Sequence, residues 1–221
     1  MNVKTSVSRL ILAVATALIT SSPAGADTIT IGGISVDDQG QFSSVAGVTT
    51  VDFNALSGGT QDFVTGIASY TSVDIFTCAT CTGSGDLPDD TTPGARAFGG
   101  GDDFTIAFSE PLSYFGLYWG SPDSDNRIQL FSGVTEVVSL TGAGLAAFGV
   151  GSGVDAAAYV NFFAGAGESF DRVVITGGTF PFETDNHAFQ VQQAVPEPTS
   201  LLLFGSGALG LIARLRRHKR S

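Results

Sequence analysis

The stretch Ser113–Gly120, SYFGLYWG, predicts a strand at the centre of a sheet. Successive residues of a strand point to opposite faces, and both faces of this stretch carry large apolar or aromatic side chains. One face is therefore expected to be core. The other face is expected either to lie under a second layer or to form a shallow aromatic platform.

Similar short runs continue on both sides of this stretch and predict an all-β domain. Asp103–Phe108 places its large apolar residues at every second position, which predicts a strand. Arg127–Phe131 and Thr135–Leu140 predict a hairpin that turns at Ser132-Gly133. The other predicted strands are Thr28–Ile31, Val48–Phe53, Gly66–Phe76, Tyr159–Phe163, Phe170–Thr176 and Thr179–Val191.

The number of these runs indicates the architecture. About nine or ten short strands without a strong helical period predict an antiparallel β-sandwich of jelly-roll type. A short helical turn is expected near Leu145–Phe148. The turn-rich segment Gly83–Gly101 is long for a structureless loop, so we expect it to be functional or mobile.

The N-terminal residues have the composition of an export signal. Lys4 and Arg9 precede the apolar run Leu10–Ile19, and a site of small residues ends at Ala26. This order predicts a signal peptide over residues 1–26, exported by the Sec translocon and removed by signal peptidase. The exported domain is then expected to cover residues 27–194.

The charges of the chain are unevenly distributed. Residues 27–194 hold 20 of the 21 acidic residues and three of the ten basic ones, so the net charge of this part is 3 minus 20, or −17. Such a domain cannot bind nucleic acid by neutralising phosphates. An acidic surface suits solubility and the binding of cations.

The two cysteines, Cys78 and Cys81, lie only three positions apart. In an exported protein they meet an oxidising compartment, which favours a local disulfide that fixes a turn. A redox pair and free thiols are the alternatives.

The C-terminal residues form three successive parts. Val195, Pro196, Glu197 and Pro198 form a stiff Pro-rich motif. An uncharged apolar run follows at 199–213, and the basic tail 214–221 ends the sequence. The run predicts a short transmembrane helix, and its basic tail is expected to stay in the cytoplasm by the positive-inside rule.

This order of motif, apolar run and basic tail over residues 195–221 resembles the PEP-CTERM sorting signal of bacterial surface proteins. The resemblance implies processing near Pro196-Glu197-Pro198 by an exosortase-like enzyme. It also implies a Gram-negative host that makes exopolysaccharide. The protein is then anchored transiently in the inner membrane and released to the cell surface or extracellular matrix. The domain in front, through Tyr114–Ser121 and Phe182–Asn186, is similar to a group of exosortase-dependent surface proteins.

The exported domain shows no catalytic set, so we do not expect an enzyme. His187 is the one histidine between the two signals, and no nucleophile elbow accompanies it. Paired aspartates such as Asp89-Asp90 lie in Gly-rich turns and are expected to ionise in solvent. A secreted glycan hydrolase, which needs two carboxyls facing each other across a sugar, is kept as an alternative.

Oxygen-bearing side chains near two predicted strand ends suggest bound Ca²⁺, the one cofactor considered. Asp123, Asp125 and Asn126 place three oxygens within four residues, and Asp185 and Asn186 offer two more. The competing interpretation is that these side chains cap turns.

A flat aromatic surface would suit a sugar. Tyr114, Tyr118 and Trp119 are the candidate glycan-binding residues, while a place in the core is the ordinary interpretation of such rings. The sequence therefore predicts a non-enzymatic surface or matrix protein. The alternative function is a calcium-assisted carbohydrate-binding module associated with exopolysaccharide.

Overall fold

The computed structural model describes residues 27–77, 87–153 and 156–193. Within these ranges nearly all regular structure is β-strand. The elements, in chain order, are β1 (Thr28–Ile31), β2 (Ile34–Ser35), β3 (Gln41–Phe42), β4 (Thr49–Val51), β5 (Gly59–Thr65), β6 (Ala68–Phe76), β7 (Gly94–Ala97), β8 (Asp103–Gly120), β9 (Arg127–Ser132), β10 (Thr135–Thr141), α1 (Gly142–Leu145), a 3-10 turn (Ala146–Phe148), β11 (Ala157–Phe163), β12 (Phe170–Thr176) and β13 (Phe182–Val191).

The long strand β8 organises the sheet. Its first half pairs with β12 on one side and β6 on the other, and its second half pairs with β11 and β13. The sequence analysis predicted two separate strands here, and the structure joins them through the segment around Pro111. Pro111 cannot donate a ladder hydrogen bond, and it lies where the neighbours of β8 change.

All pairings in the sheet are antiparallel, and part of the sheet closes on itself. β13 pairs with β8 and with β7, β7 pairs with β6, and β6 returns to pair with β8. A closed path of strands leaves its members without open edges. β4 adds to β13, while β1 adds to β11.

The core lies on both faces of β8. Phe115, Leu117 and Trp119 belong to the main apolar cluster, whereas Tyr114 and Tyr118 belong to a smaller cluster on the other face. All five side chains are at most 2% exposed. The predicted central strand is therefore covered on both sides.

The hairpin from β9 to β10 forms as predicted. Ser132 pairs with Thr135, so the loop has two residues, and Gly133 takes a left-handed φ of 58° that a two-residue hairpin favours. The predicted helical turn is present as α1 and the 3-10 turn, capped by the Thr141 hydroxyl, which accepts a bond from the Gly144 amide at 3.2 Å.

The all-β, antiparallel class is confirmed, and the jelly-roll topology stays a prediction. Within the described ranges, no helix combines the length and the apolar character needed to cross a membrane. The predicted signal peptide, the Cys78–Cys81 disulfide, the sorting motif and the C-terminal helix all lie outside those ranges.

Candidate functional site: a buried carboxyl pair beside the last strand

The first group of predicted calcium ligands lies in the turn after β8. Its side chains form hydrogen bonds within this turn and to the segment at Thr179–Phe180. Asp125 Oδ2 accepts hydrogen bonds from the Thr179 amide at 2.8 Å and the Thr179 hydroxyl at 2.7 Å, and these bonds lower the pKa of Asp125. Asn126 Oδ1 accepts from the Asp123 amide at 3.0 Å, and Asn126 Nδ2 donates to the Phe180 carbonyl at 3.1 Å. These contacts match the turn-capping interpretation.

The second group lies inside β13. Asp185 is fully buried opposite Tyr118 of β8, and Asn186 has a left-handed φ of 52° where the pairing of β13 with β8 shifts register. Asn186 Nδ2 donates to the carbonyls of Gln39 at 2.8 Å and Gln41 at 3.1 Å. The second group thus joins the last strand to the start of the domain.

The structure does not bring the two groups into one cluster, because they bond to different segments of the chain. Among the described residues, no set of three or more His, Cys, Asp or Glu side chains is arranged to hold a metal ion. Calcium binding at these residues stays a prediction.

The structure gives Asp185 a partner that the sequence analysis missed. Asp90 is only 4% exposed, although its position in a Gly- and Asp-rich turn predicted a solvent-exposed carboxylate. That expectation is wrong because residue 90 forms a β-bridge with Gln39, which folds the turn against β13. The sequence around Asp90 has no periodic pattern, so no local signal marks its burial.

The carboxyls of Asp90 and Asp185 interact directly. Thr92 Oγ1 lies 2.6 Å from Asp90 Oδ1 and 3.3 Å from Asp185 Oδ2, so one hydroxyl bridges the two groups. The backbone N–H of Asn186 donates to Asp185 Oδ1 at 2.6 Å. Asp90 Oδ2 is buried and receives no hydrogen bond from the parts of the chain that the structure describes.

The surroundings of Asp185 favour its protonated form. Burial, and after it the charge of Asp90, raise the pKa of Asp185 to about 9. Asp185 therefore stays protonated at neutral pH. The same oxygens are the chemical type that a small hard cation takes.

His187, which follows this pair in β13, is sealed in the main core. It is 0% exposed, its Nδ1 lies 3.0 Å from the Tyr70 hydroxyl, and its Nε2 lies 3.0 Å from the Thr184 hydroxyl. The Phe53 ring packs edge-on at 5.0 Å between centroids. Burial lowers the pKa of His187 to about 3, so the ring is neutral and has no access to a substrate.

The three predicted glycan-binding rings are also interior residues. The Tyr114 hydroxyl donates to Asn161 Oδ1 at 2.7 Å, and the Tyr118 hydroxyl donates to the Pro88 carbonyl. Trp119 stacks on Phe182 with ring centroids 4.1 Å apart. The accessible aromatic platform expected at these positions is therefore not formed, because both faces of β8 are covered.

Comparison with known families identifies the segment that follows the described residues. Residues 194–217 match the family model of the PEP-CTERM protein-sorting motif. The chain carries a PEP-CTERM sorting motif. The motif implies an exported bacterial surface protein that is transiently anchored in a membrane and processed by an exosortase-like enzyme.

The match begins at residue 194, directly after the last described residue, and it does not extend into the β-strands. A comparison with curated proteins found no match.

Proposed function

We propose that this protein is a non-enzymatic surface or extracellular-matrix protein that an exosortase-like system sorts. The observation that carries the proposal is the PEP-CTERM motif at 194–217, directly behind a β-domain whose last strand ends at Val191. Residues 1–26 deliver the chain to the Sec translocon and are removed by signal peptidase. The host is a Gram-negative bacterium, and the exported domain is a sandwich of jelly-roll type.

The chemistry of the described residues supports a role without catalysis. His187 and Asp185 are 0% exposed, and Asp90 is 4% exposed. A general acid or base must reach the proton that it transfers, and these groups face other side chains of the same core. Nothing in their placement favours the hydrolase alternative, which needs two carboxyls on either side of a bound sugar.

The sorting step can be tested by intact-mass and terminal-peptide analysis of the protein made in its host. We expect a mature N-terminus at Asp27 and loss of the segment that ends in residues 214–221. A variant with alanines at Pro196, Glu197 and Pro198 should keep that segment and stay in the membrane fraction.

Asp37→Asn is the matched control, since it changes an exposed residue of the β-domain and should be processed like the natural protein. A wild-type protein that stays in the cytosol with residues 1–26 and 214–221 intact would contradict the proposal.

A further inference from the structure

A second feature of the domain lies apart from the carboxyl pair. A pocket of about 360 Å³ opens beside the ends of β6 and β7 and the start of β8. Its lining includes Arg96, Phe98, Asp74, Asp102 and Asp103. We call it the Arg96 pocket.

The planar guanidinium group of Arg96 forms part of the pocket wall. Its Nε donates to Asp74 Oδ2 at 2.7 Å, and its guanidinium carbon lies 4.6 Å from the centroid of the Phe98 ring. A second ring, Phe76, lies 5.4 Å from the same carbon. A salt bridge and two ring contacts therefore fix the position of this cation before any ligand arrives.

Phe98 leaves much of its ring in solvent. It is 40% exposed, whereas the large side chains of the adjoining strands are buried. An exposed aromatic ring beside fixed polar groups is the composition of a site that takes a ligand with one apolar face and several polar substituents. A pyranose ring has both features, because its axial C–H groups form an apolar face and its hydroxyls project from the rim.

The charges of the pocket select among sugars. The lining holds three carboxylates, those of Asp74, Asp102 and Asp103, and one guanidinium, so it keeps a net negative charge. Asp102 and Asp103 are exposed, and Asp74 is the one already paired with Arg96. The net charge of residues 27–194 adds a field of the same sign. An anionic sugar is repelled here, while an ammonium group is attracted.

We propose that the Arg96 pocket binds a sugar residue with a free amino group, packed against the exposed part of the Phe98 ring that Arg96 does not cover and held through its ammonium by Asp102 and Asp103. The side chains of Thr60 and Ser72, which also line the pocket, supply hydroxyls for the sugar rim. This inference deepens the proposed function, on which it rests for the setting outside the cell. Binding is measured on purified protein, so its failure leaves the sorting step untouched.

The test titrates the full chain, purified in mild detergent, with a β-1,4-linked glucosamine tetramer and its N-acetylated counterpart. Calorimetry at about pH 6, below the ordinary pKa of an amine, keeps the amino groups charged. We expect the glucosamine tetramer to bind at least about tenfold more tightly than the N-acetylated tetramer, as a lost charge contact costs about 1.4 kcal/mol or more.

Phe98→Ala should weaken this binding at least about tenfold. Phe148→Ala is the matched control, since Phe148 is a phenylalanine of nearly equal exposure, 41%, in the 3-10 turn outside the pocket lining, and it should leave binding unchanged. Asp102→Asn changes an exposed side chain and should weaken binding even where the Phe98 variant folds poorly.

Three results would overturn the proposal. The first is no binding of either tetramer. The second is equal binding of both, which removes the role of the ammonium. The third is binding that Phe98→Ala and Asp102→Asn leave unchanged, which would show only a general attraction of a cationic oligomer to an acidic domain.

Discussion

Replacing Asp185 with asparagine should make the stability of this protein less dependent on pH. In the natural protein the Asp90–Asp185 pair keeps one proton inside the fold, since burial raises the pKa of Asp185 to about 9. An asparagine has no such proton to lose and stays neutral at every pH, so it removes the titration from this buried position. The amide also has the size and shape of the carboxyl group, so packing is kept.

The sign and size of the effect follow from the two pKa values. An aspartate in the unfolded chain has a pKa of about 3.9. Between about pH 3.9 and about pH 9 the folded state therefore holds one proton more than the unfolded state. The stabilising contribution of this proton to the free energy of unfolding is complete below about pH 3.9. It is lost as the pH rises, by about 1.4 kcal/mol per pH unit. From about pH 5 to about pH 8 the decrease reaches at most about 4 kcal/mol.

The assay is urea unfolding at several pH values in the presence of EDTA, followed by tryptophan fluorescence. The free energy of unfolding of the natural protein should fall across this range more steeply than that of Asp185→Asn, and the variant should be the more stable one above about pH 7. Asp37→Asn removes the same charge from an exposed residue and should keep the natural slope. If the free energy of unfolding changes with pH equally steeply in the natural protein and in Asp185→Asn, the proton assigned to buried Asp185 is refuted.

Three further predictions concern the core, a turn and calcium. Phe53→Ala should lower the free energy of unfolding by about 3–5 kcal/mol, because it empties a buried site, while Phe180→Ala, at a 61% exposed ring, should change it little in the same denaturation assay. Gly142→Ala should lower the melting temperature by several degrees, because the added Cβ would lie 1.9 Å from the Asp123 carbonyl oxygen; an unchanged melting curve would contradict this close contact. Calcium bound at Asp125 should raise the melting temperature relative to EDTA, and Asp125→Asn should abolish the rise; a melting temperature indifferent to calcium in the natural protein would remove the calcium prediction.

The strands of this domain were predictable because their signal is local. Asp103–Phe108 alternates with period two, and the structure buries Phe104, Ile106 and Phe108 on the core side. The hairpin between β9 and β10 was predictable from Gly133 in its turn. The union of the two predicted strands into β8 was not predictable, since Pro111 normally ends a strand and is tolerated here only where the pairing changes.

The candidate sites depended on contacts between distant segments, which no local pattern reports. Asp90 became buried through its bridge to Gln39, about 50 positions away in the sequence. The alternation of side chains along β8 puts the rings of Tyr114 and Tyr118 on one face, and a second, smaller core covers that face. Phe98 has no local signal in the sequence, because a single phenylalanine beside glycine-rich turns forms no periodic pattern.

The closed path of strands has a mechanical consequence for a protein tethered at its C-terminal side. β13 pairs with β8, β7 and β4 along its length, and the sorting motif begins only a few residues beyond its end. A pull directed along β13 from its C-terminal end loads these backbone bonds together in shear. The domain should therefore bear tension as one unit and resist being unravelled from its tethered end.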